Sequence, residues 1–364
     1  MVNSDKQDMM MPPEMKFGIF RWVRKNLFSN LFDTIVTISV VLFLLWIVPA
    51  VISWMFIDAV GFGGDEALCR SAKGACWPFM REKARLILFG TYPYDQQWRA
   101  ALASLIVIGL VGTLMFKRLT AKKMVLLWVV GGSLFVALML GNVVGLSAVQ
   151  TVQWNGLPVF LLLAVFSLAA AFPLGIILAL ARFQNQHLLI RSLATGYIEL
   201  IRGVPLLTVL FMGLFILPMV MPQGFYIEPL FAILIALMMF HAAYIAEDIR
   251  GGLQILSRGQ FEAADSLGLN YRYKVVLVVL PQALKKALPA IFNTLIGAYK
   301  DTSLVVIVGI HDMLSTAKMA YSDPGWQRYG LEAYFFVGIW YFTSCWCLSA
   351  YGRHLEKTGA IKAN

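Results

Sequence analysis

Long apolar runs separated by shorter polar segments dominate the pattern of this chain. Most runs are close to or above the roughly 20 apolar residues that a helix needs to cross a bilayer. The pattern therefore predicts an all-α polytopic membrane protein with about eight transmembrane helices. The predicted spans cover residues 31–57, 100–116, 124–144, 157–181, 197–221, 227–246, 287–310 and 331–351. Pro205 and Pro218 lie inside the fifth span and are expected to bend it.

The composition agrees with a membrane protein. The chain has 364 residues, of which 59% are hydrophobic and 14% charged, with a mean hydropathy of +0.73. Soluble chains carry about a quarter charged residues. The net charge of +10 falls mostly beside the apolar runs, so it predicts membrane topology and not nucleic-acid binding. The positive-inside bias places both termini in the cytoplasm.

The polar loop at about 58–99 is the segment where the positive-inside bias is weakest. This topology puts the loop on the outer, oxidising side of the membrane, where Cys69 and Cys76 are a candidate disulfide. Two reduced thiols are an equal alternative, because sequence spacing does not fix the geometry that a bridge requires.

Two weaker patterns concern helix position and packing. A short interfacial helix is expected around residues 17–28, within a polar tail at 1–30. In the third span, Gly141 and Gly145 have the four-residue spacing at which small residues bring membrane helices together.

A polar stretch at residues 259–281 separates the sixth and seventh spans and has its own helical pattern. It predicts a short helix that Gly268 ends, because Gly takes the left-handed conformation without steric cost. The polar face of that helix contains Gln260, Glu262 and Asp265. A small apolar face, of the kind that docks into a groove, contains Ala263, Ala264 and Leu267.

The order Glu262-Ala263-Ala264, three residues, Gly268, and then Leu280-Pro281 resembles the EAA motif of ABC importer permeases. Three further segments resemble the polar amino-acid branch of that family, the histidine/glutamine/arginine/opine group. They are Glu199-x-x-Arg202-Gly203-x-Pro205-Leu206-Leu207, Ala242-Ala243-Tyr244-Ile245-Ala246-Glu247 and Lys300-Asp301-Thr302-Ser303-Leu304. The long N-terminal extension resembles the longer permease subunit of general L-amino-acid importers.

This resemblance implies a five-helix type I importer core, MetI-like, at about 155–353, with a coupling loop at 248–283. Three extra spans would lie at 31–150, and short cytoplasmic tails at 1–30 and 354–364. The segment around Glu262 would be the coupling helix that contacts a separate ATPase. Pro281 and the Gly203–Pro205 turn would be structural.

The resemblance also implies a function and partners. The chain would be a permease subunit that takes up L-amino acids across the bacterial inner membrane by alternating access. Its partners would be a second permease subunit, expected to be a different chain, two copies of an ABC ATPase, a periplasmic amino-acid-binding protein and membrane lipid, with no nucleic acid. ATP and Mg would bind to the ATPase, and this chain would hold no cofactor or metal.

Lys300 and Asp301 are charges inside the seventh apolar run, where an unpaired charge costs at least ~2.5–3.5 kcal/mol. An amino-acid zwitterion needs a cationic and an anionic partner, which Lys300 with Asp301 or Glu247 would supply. Thr302, Ser303 and Tyr244 complete this candidate substrate pathway. A structural ion pair, or a side chain that reaches the interface, is an equal alternative.

Two pairs of polar residues lie three positions apart and therefore share a helix face. Tyr244 and Glu247 are one pair; a solvated helix end is expected for Glu247, with a ligand contact as the alternative. Glu199 and Arg202 are the other, expected to form a local pair that anchors the fifth span, with gating as the alternative.

No pattern for catalysis is present. The sequence contains no Gly-Lys-Ser/Thr of a Walker A motif, no His/Cys cluster at zinc spacing and no nucleophile in a recognisable setting. We therefore expect a transport subunit and not an enzyme. A secondary transporter is one alternative, but the halves show no internal repeat; a non-catalytic membrane assembly protein is the other.

Overall fold

The computed structural model describes residues 19–115, 120–142, 145–183, 187–222, 224 and 226–361. Several sequence predictions lie outside these residues: most of the N-terminal tail, the end of the second span at Phe116-Lys117-Arg118, residues 143–144 of the third span and the last three residues of the C-terminal tail. The chain divides into two compact units, residues 1–78 and 79–364.

The described residues form helices and connecting segments, with two isolated β-bridges and no strand of a sheet. The helices are α1 Ile19–Leu27, α2 Leu31–Ile52, α3 Glu66–Ser71, α4 Trp77–Phe89, α5 Gln97–Met115, α6 Ala121–Leu140, α7 Leu157–Leu161, α8 Ser167–Phe183, α9 Leu188–Gly203, α10 Leu206–Phe211, α11 Leu217–Val220, α12 Pro229–Gln254, α13 Arg258–Ser266, α14 Tyr271–Tyr273, α15 Leu280–Asp301, α16 Met313–Ser322 and α17 Gly330–Ile361. π-helical segments at Ser53–Ile57, Leu162–Phe166, Met212–Ile216 and Lys274–Val279 continue α2, α7, α10 and α14. Short 3₁₀ segments lie at Tyr94–Gln96, Thr151–Gln153 and Thr302–Val308.

The first unit contains the predicted first span. α2 and its π-helical continuation cover residues 31–57, and the Asn30 side chain caps α2 by accepting the Asp33 N–H at 2.8 Å. The helix is apolar on all sides, and none of the residues of α2 is buried, as expected for a helix surrounded by hydrocarbon. α1 lies within the region predicted to form an interfacial helix.

The second half of this unit is a loop closed by a disulfide. Cys69, in α3, and Cys76 are bonded through their sulfur atoms, with Cα atoms 5.4 Å apart. A backbone bond from Val60 N–H to Ala75 C=O at 2.8 Å holds the same turn. The bridged alternative is therefore the one that the structure contains.

Among the described residues, seven helices are long and apolar enough to span a membrane, or eight if the bent pair α9 and Leu206–Val220 counts as one span. The prediction of about eight spans is thus confirmed, although several boundaries were wrong. The largest differences are that the fifth span begins at Leu188, the sixth continues to Gln254, the seventh begins at Tyr271 and the last continues to Thr358. The seventh starts early because Pro281 follows a π-helical segment, which accommodates the missing N–H without ending the helix.

The predicted fifth span is not one straight helix. α9 and the segment Leu206–Val220 meet at 109°. Pro205 explains the break, since it lacks an N–H and disfavours a helical conformation at the preceding residue. Val204 is accordingly extended, with φ −107° and ψ 138°.

The helix-packing interpretation of Gly141 and Gly145 was also wrong, because α6 ends at Leu140. Two side chains from the preceding helix and loop hold that end. Arg99, almost fully buried, donates from Nε to the Leu138 carbonyl at 2.8 Å, and the Tyr92 hydroxyl donates to the Met139 carbonyl at 3.1 Å. A cation at the C-terminus of a helix also interacts favourably with the helix dipole.

α12 lies at the centre of the second unit and packs against α8, α9 and α15. Small residues allow this close approach: Ala242 and Ala246 are fully buried, and a Cβ on Gly252 would lie 2.9 Å from the Cβ of Ala287. Such contacts are the usual way in which membrane helices pack, because lipid removes the hydrophobic drive for association.

Part of the predicted outer loop packs on the connection between the last two spans. The Thr316 hydroxyl in α16 donates to the Ile87 carbonyl in α4 at 2.6 Å. Lys83 and Asp323 form an ion pair at 2.5 Å, beside the ring contact between Phe79 and Trp326. These contacts tie α4 to a segment inside the predicted permease core.

Candidate functional site

α13 is the short helix that the polar stretch predicted, and its inner face is attached to two membrane spans. Ala264 is buried. The ring of Phe261 stacks on that of Phe183, the last residue of α8, with centroids 6.1 Å apart. This contact joins α13 to the end of a long span through an aromatic pair, worth about 0.5–1.5 kcal/mol beyond area burial.

Two polar contacts attach α13 to the next span. Lys274 Nζ lies 2.6 Å from Asp265 Oδ1, and Gln282 Nε2 donates to Gln260 Oε1 at 2.9 Å. Lys274 and Gln282 both belong to the long helix that starts at Tyr271. α13 is therefore held between α8 and this helix.

The outer face of α13 is open. Glu262 and Ala263 are exposed, and Leu267 is 78% exposed. Of the predicted apolar face, only Ala264 is buried within the chain. An exposed Leu beside exposed polar residues leaves a small surface available to a partner.

The end of α13 has the hydrogen bonds of a Schellman motif. Gly268 has a φ of +69°. The N–H of Gly268 donates to the Asp265 carbonyl at 2.9 Å, and that of Leu269 to the Ala264 carbonyl at 3.2 Å. Asn270 then caps the next helix by accepting the Tyr273 N–H at 3.1 Å.

Next to α13, three arginines surround one carboxylate. Glu247, in α12, contacts Arg250 one turn later through two charge-assisted hydrogen bonds. Arg182 Nη1 in α8 and Arg202 Nη1 in α9 lie 3.2 Å and 3.6 Å from its Oε2. The cluster thus joins three helices through one side chain, which is only 19% exposed.

This cluster corrects two sequence expectations. Glu199 pairs with Arg182 at 2.7 Å, while Arg202 pairs with Glu247, so the local Glu199–Arg202 pair was wrong. Glu247 is also not a solvated helix end, because α12 continues to Gln254. Close packing of α8 and α9 against α12 brings partners from other helices nearer than sequence neighbours.

Tyr244 and Glu247 do share a helix face, as predicted, since both contact Arg202. The Arg202 guanidinium lies 5.5 Å from the centroid of the Tyr244 ring, a cation–π distance. Next to Glu247, Asp248 accepts a hydrogen bond from the Thr294 hydroxyl in α15 at 2.6 Å.

A second polar group lies further along α12 and α15. His241 Nε2 is 3.5 Å from Asp301 Oδ2. His241 is 3% exposed, and its Nδ1 is buried without a hydrogen-bond partner in the described part of the chain. Thr302, also buried, donates to the Tyr299 carbonyl at 3.0 Å.

Lys300 does not join this group in the structure. Its side chain is exposed, and Ser303 turns back to the Lys300 carbonyl at 2.9 Å. Asp301 contacts His241, whereas Glu247 lies six residues, about 9 Å, further along α12 and contacts arginines. The structure therefore separates Glu247 from the Lys300–Asp301 pair.

Sequence reasoning missed three residues that these groups contain. His241 was a detectable signal, because an ionisable residue inside an apolar run is rare. Arg182 and Arg250 carried no expected role from the sequence, and only packing shows that they face Glu247. Among the described residues, no group of three His, Cys, Asp or Glu side chains is placed to hold a metal ion.

Comparison with known proteins gives consistent matches. A family model described as binding-protein-dependent transport system inner membrane component matches residues 171–358, just over half of the chain. The inner membrane amino-acid ABC transporter permease protein YhdY of Escherichia coli (strain K12) is 42% identical over 339 residues, covering 92% of each chain.

Two further relatives separate the core from the extension. The glutamate/glutamine/aspartate/asparagine transport system permease protein BztC of Rhodobacter capsulatus is 32% identical over 412 residues, covering 95% of this chain and 94% of that protein. The probable glutamine ABC transporter permease protein GlnP of Bacillus subtilis (strain 168) is 32% identical over 203 residues, covering 91% of its own length but 56% of this chain. The long relatives thus match most of the N-terminal extension as well.

Proposed function

Since this chain belongs to the family of binding-protein-dependent transport system inner membrane components, the permease subunits of ABC importers, we propose that it carries L-amino acids across the bacterial inner membrane by alternating access. Subunits of this family are not catalytic, and ATP hydrolysis takes place on a separate partner. The amino-acid substrate is inferred from the relatives, which are described as amino-acid permeases.

α13 is the coupling helix in this proposal. The observation that carries it is the combination of an open outer face, at Glu262 and Leu267, with an inner face attached to α8 and α15. A partner that binds the outer face and moves would displace both spans through Phe261, Gln260 and Asp265. Gly268 lets the chain reverse directly into the next span.

The proposed partners come from membership of this family of importer permeases. An ABC ATPase, which holds ATP and Mg, binds α13, and a periplasmic binding protein delivers the substrate. We further propose a second permease, a different chain, two ATPase copies, and a cytoplasmic location for α13 and both termini. The core would extend over 155–353, with the extension at 31–150.

The test of coupling uses the complex reconstituted in liposomes. Leu267→Ser removes the exposed apolar side chain of the open face, while Leu331→Ser changes another exposed leucine, 67% exposed, at the start of α17. We expect Leu267→Ser to lower substrate-stimulated ATP hydrolysis and uptake several-fold, and Leu331→Ser to leave both near wild type. Equal activity in the two variants would remove α13 from the coupling role.

The substrate pathway is proposed to include His241, Asp301 and Thr302. A buried imidazole nitrogen without a partner, beside a carboxylate, offers a donor and an acceptor to the charged ends of an amino acid. Asp301→Asn should raise the substrate concentration needed for half-maximal uptake, with assembly unchanged. The exposed Asp323→Asn is the control.

Lys300 is the cation that the sequence suggested for the same pathway. Normal uptake by Lys300→Ala would exclude Lys300 from the substrate pathway.

A further inference from the structure

An apolar groove of about 580 Å³ lies between α6 and α12. Its floor is the π-helical segment that continues α7, where Leu162 is buried and the rings of Phe166 and Trp128 meet edge to face at 6.3 Å. The walls come from α6 and α12. Residues that line the groove include Val129, Val136, Leu162, Phe166, Phe231 and Leu234.

The groove lies where lipid would meet the protein. α6, the helix of the floor and α12 are each long and apolar enough to span the membrane. Along α6, Val125 and Val129 are 64% and 60% exposed. In a membrane such side chains face hydrocarbon, so water is not the natural occupant of the groove.

A basic residue lies on the groove side of α6, at its first turn. Lys122 precedes Val129 by seven residues and Val136 by fourteen, so the three share one face of the helix. Lys122 is exposed. The neighbouring Lys123 precedes Val130, which does not line the groove and is 55% exposed.

We propose that this groove binds one acyl chain of an anionic phospholipid, with the lipid phosphate held by Lys122. On α6 the lining runs from Trp128 to Ala137 and is apolar except for Ser133, and Lys122 lies six residues before it on the same face of the helix.

Native mass spectrometry of the delipidated, detergent-purified transporter complex tests the proposal by titration with phosphatidylglycerol. The unaltered complex should retain phosphatidylglycerol at this site and bind phosphatidylcholine more weakly. Lys122→Gln should weaken phosphatidylglycerol binding about fivefold, the effect of one basic side chain near an anionic lipid. Lys123→Gln, on the other face of the same turn, should bind as wild type.

The acyl chain is tested separately. Val129→Phe fills the groove and should abolish the tight phosphatidylglycerol species, while Val130→Phe, one position along, should retain it. Soluble glycerol 3-phosphate should not displace the lipid. Wild-type binding by Val129→Phe, equal loss in Lys122→Gln and Lys123→Gln, or displacement by glycerol 3-phosphate would each overturn the proposal.

Photolabelling of the unaltered chain tests the site without relying on the folding of any variant. Phosphatidylglycerol with a photoreactive group in its acyl chain should label peptides from α6 and α12. Labelling confined to other spans would contradict the site. A second permease would replace lipid as the occupant if Val129→Cys formed a crosslink to a partner subunit.

Discussion

The ring of Phe183 stacks on the ring of Phe261, and the residue before Phe183 pairs with Glu247. One end of α8 therefore contacts both α13 and the arginine cluster on α12. Arg182 and Phe183 are adjacent in the chain, so under the proposed coupling role a displacement of α13 that moves Phe261 would reach the charges that join α8, α9 and α12.

The first prediction concerns the turn after α13. Gly268→Val places a β-branched residue at a φ of +69°, which costs about 1–3 kcal/mol. We expect ATP hydrolysis to continue while uptake falls several-fold. Gly309→Val is the matched control, since Gly309 has a φ of +83° but lies after the seventh span. Transport assays on both variants measure this difference. Normal transport in Gly268→Val would count against the coupling role.

The second prediction concerns the arginine cluster. Glu247→Gln leaves three guanidinium groups around a neutral side chain, and hydrogen bonds to a charged group such as this partly buried carboxylate contribute about 1.5–3 kcal/mol. Thermal unfolding of the purified permease should show a clearly lower midpoint. Glu262→Gln changes an exposed glutamate on α13 and should leave the midpoint unchanged. An unaltered midpoint in Glu247→Gln would show that the cluster does not stabilise the bundle.

The third prediction concerns the disulfide. The chain has four cysteines; Cys345 and Cys347 are free. Denatured protein treated with a maleimide should therefore carry two labels without reductant and four after reduction. Replacing Cys69 and Cys76 by Ala should destabilise the loop by about 2–3 kcal/mol, measured as faster proteolysis there. Four labels without reductant would exclude the bridge.

The fourth prediction concerns pH. Asp312 is fully buried, and its carboxylate caps α16 by accepting the Ser315 N–H at 2.9 Å. Burial raises the pKa of Asp312 above its ordinary value of 3.8, although backbone hydrogen bonds from Ser315 and Leu314 oppose this. A raised pKa in the folded state favours folding in acid. That contribution is complete below pH 3.8 and is lost as pH rises through the folded-state pKa.

Asp312→Asn keeps an acceptor for the cap but removes this titration. The difference in unfolding midpoint between wild type and Asp312→Asn should therefore move in favour of the variant as pH rises from about 4 to 7. Asp323→Asn leaves Asp312 intact and should retain the wild-type pH dependence. Parallel plots of unfolding midpoint against pH for wild type and Asp312→Asn would contradict the conclusion that burial raises the pKa of Asp312.

The sequence alone determined the membrane class, the number of spans, the family and the helix of residues 258–266. Each of these depends on local or periodic signals: apolar runs of bilayer length, and a Gly that ends a short helix. The positions of Glu262, Leu267 and Gly268 could be located because their chemistry and their spacing are both encoded along one short segment.

Tertiary structure decided which charges meet. Glu199 and Arg202 lie three apart in sequence, yet each pairs with a residue on another helix. His241 reaches Asp301 across 60 positions. Pro205 breaks a helix whereas Pro281 lies within one, since the π-helical turn before Pro281 absorbs the missing hydrogen bond. Such outcomes depend on the approach and rotation of packed helices, and helical periodicity specifies a face without specifying the neighbour that it contacts.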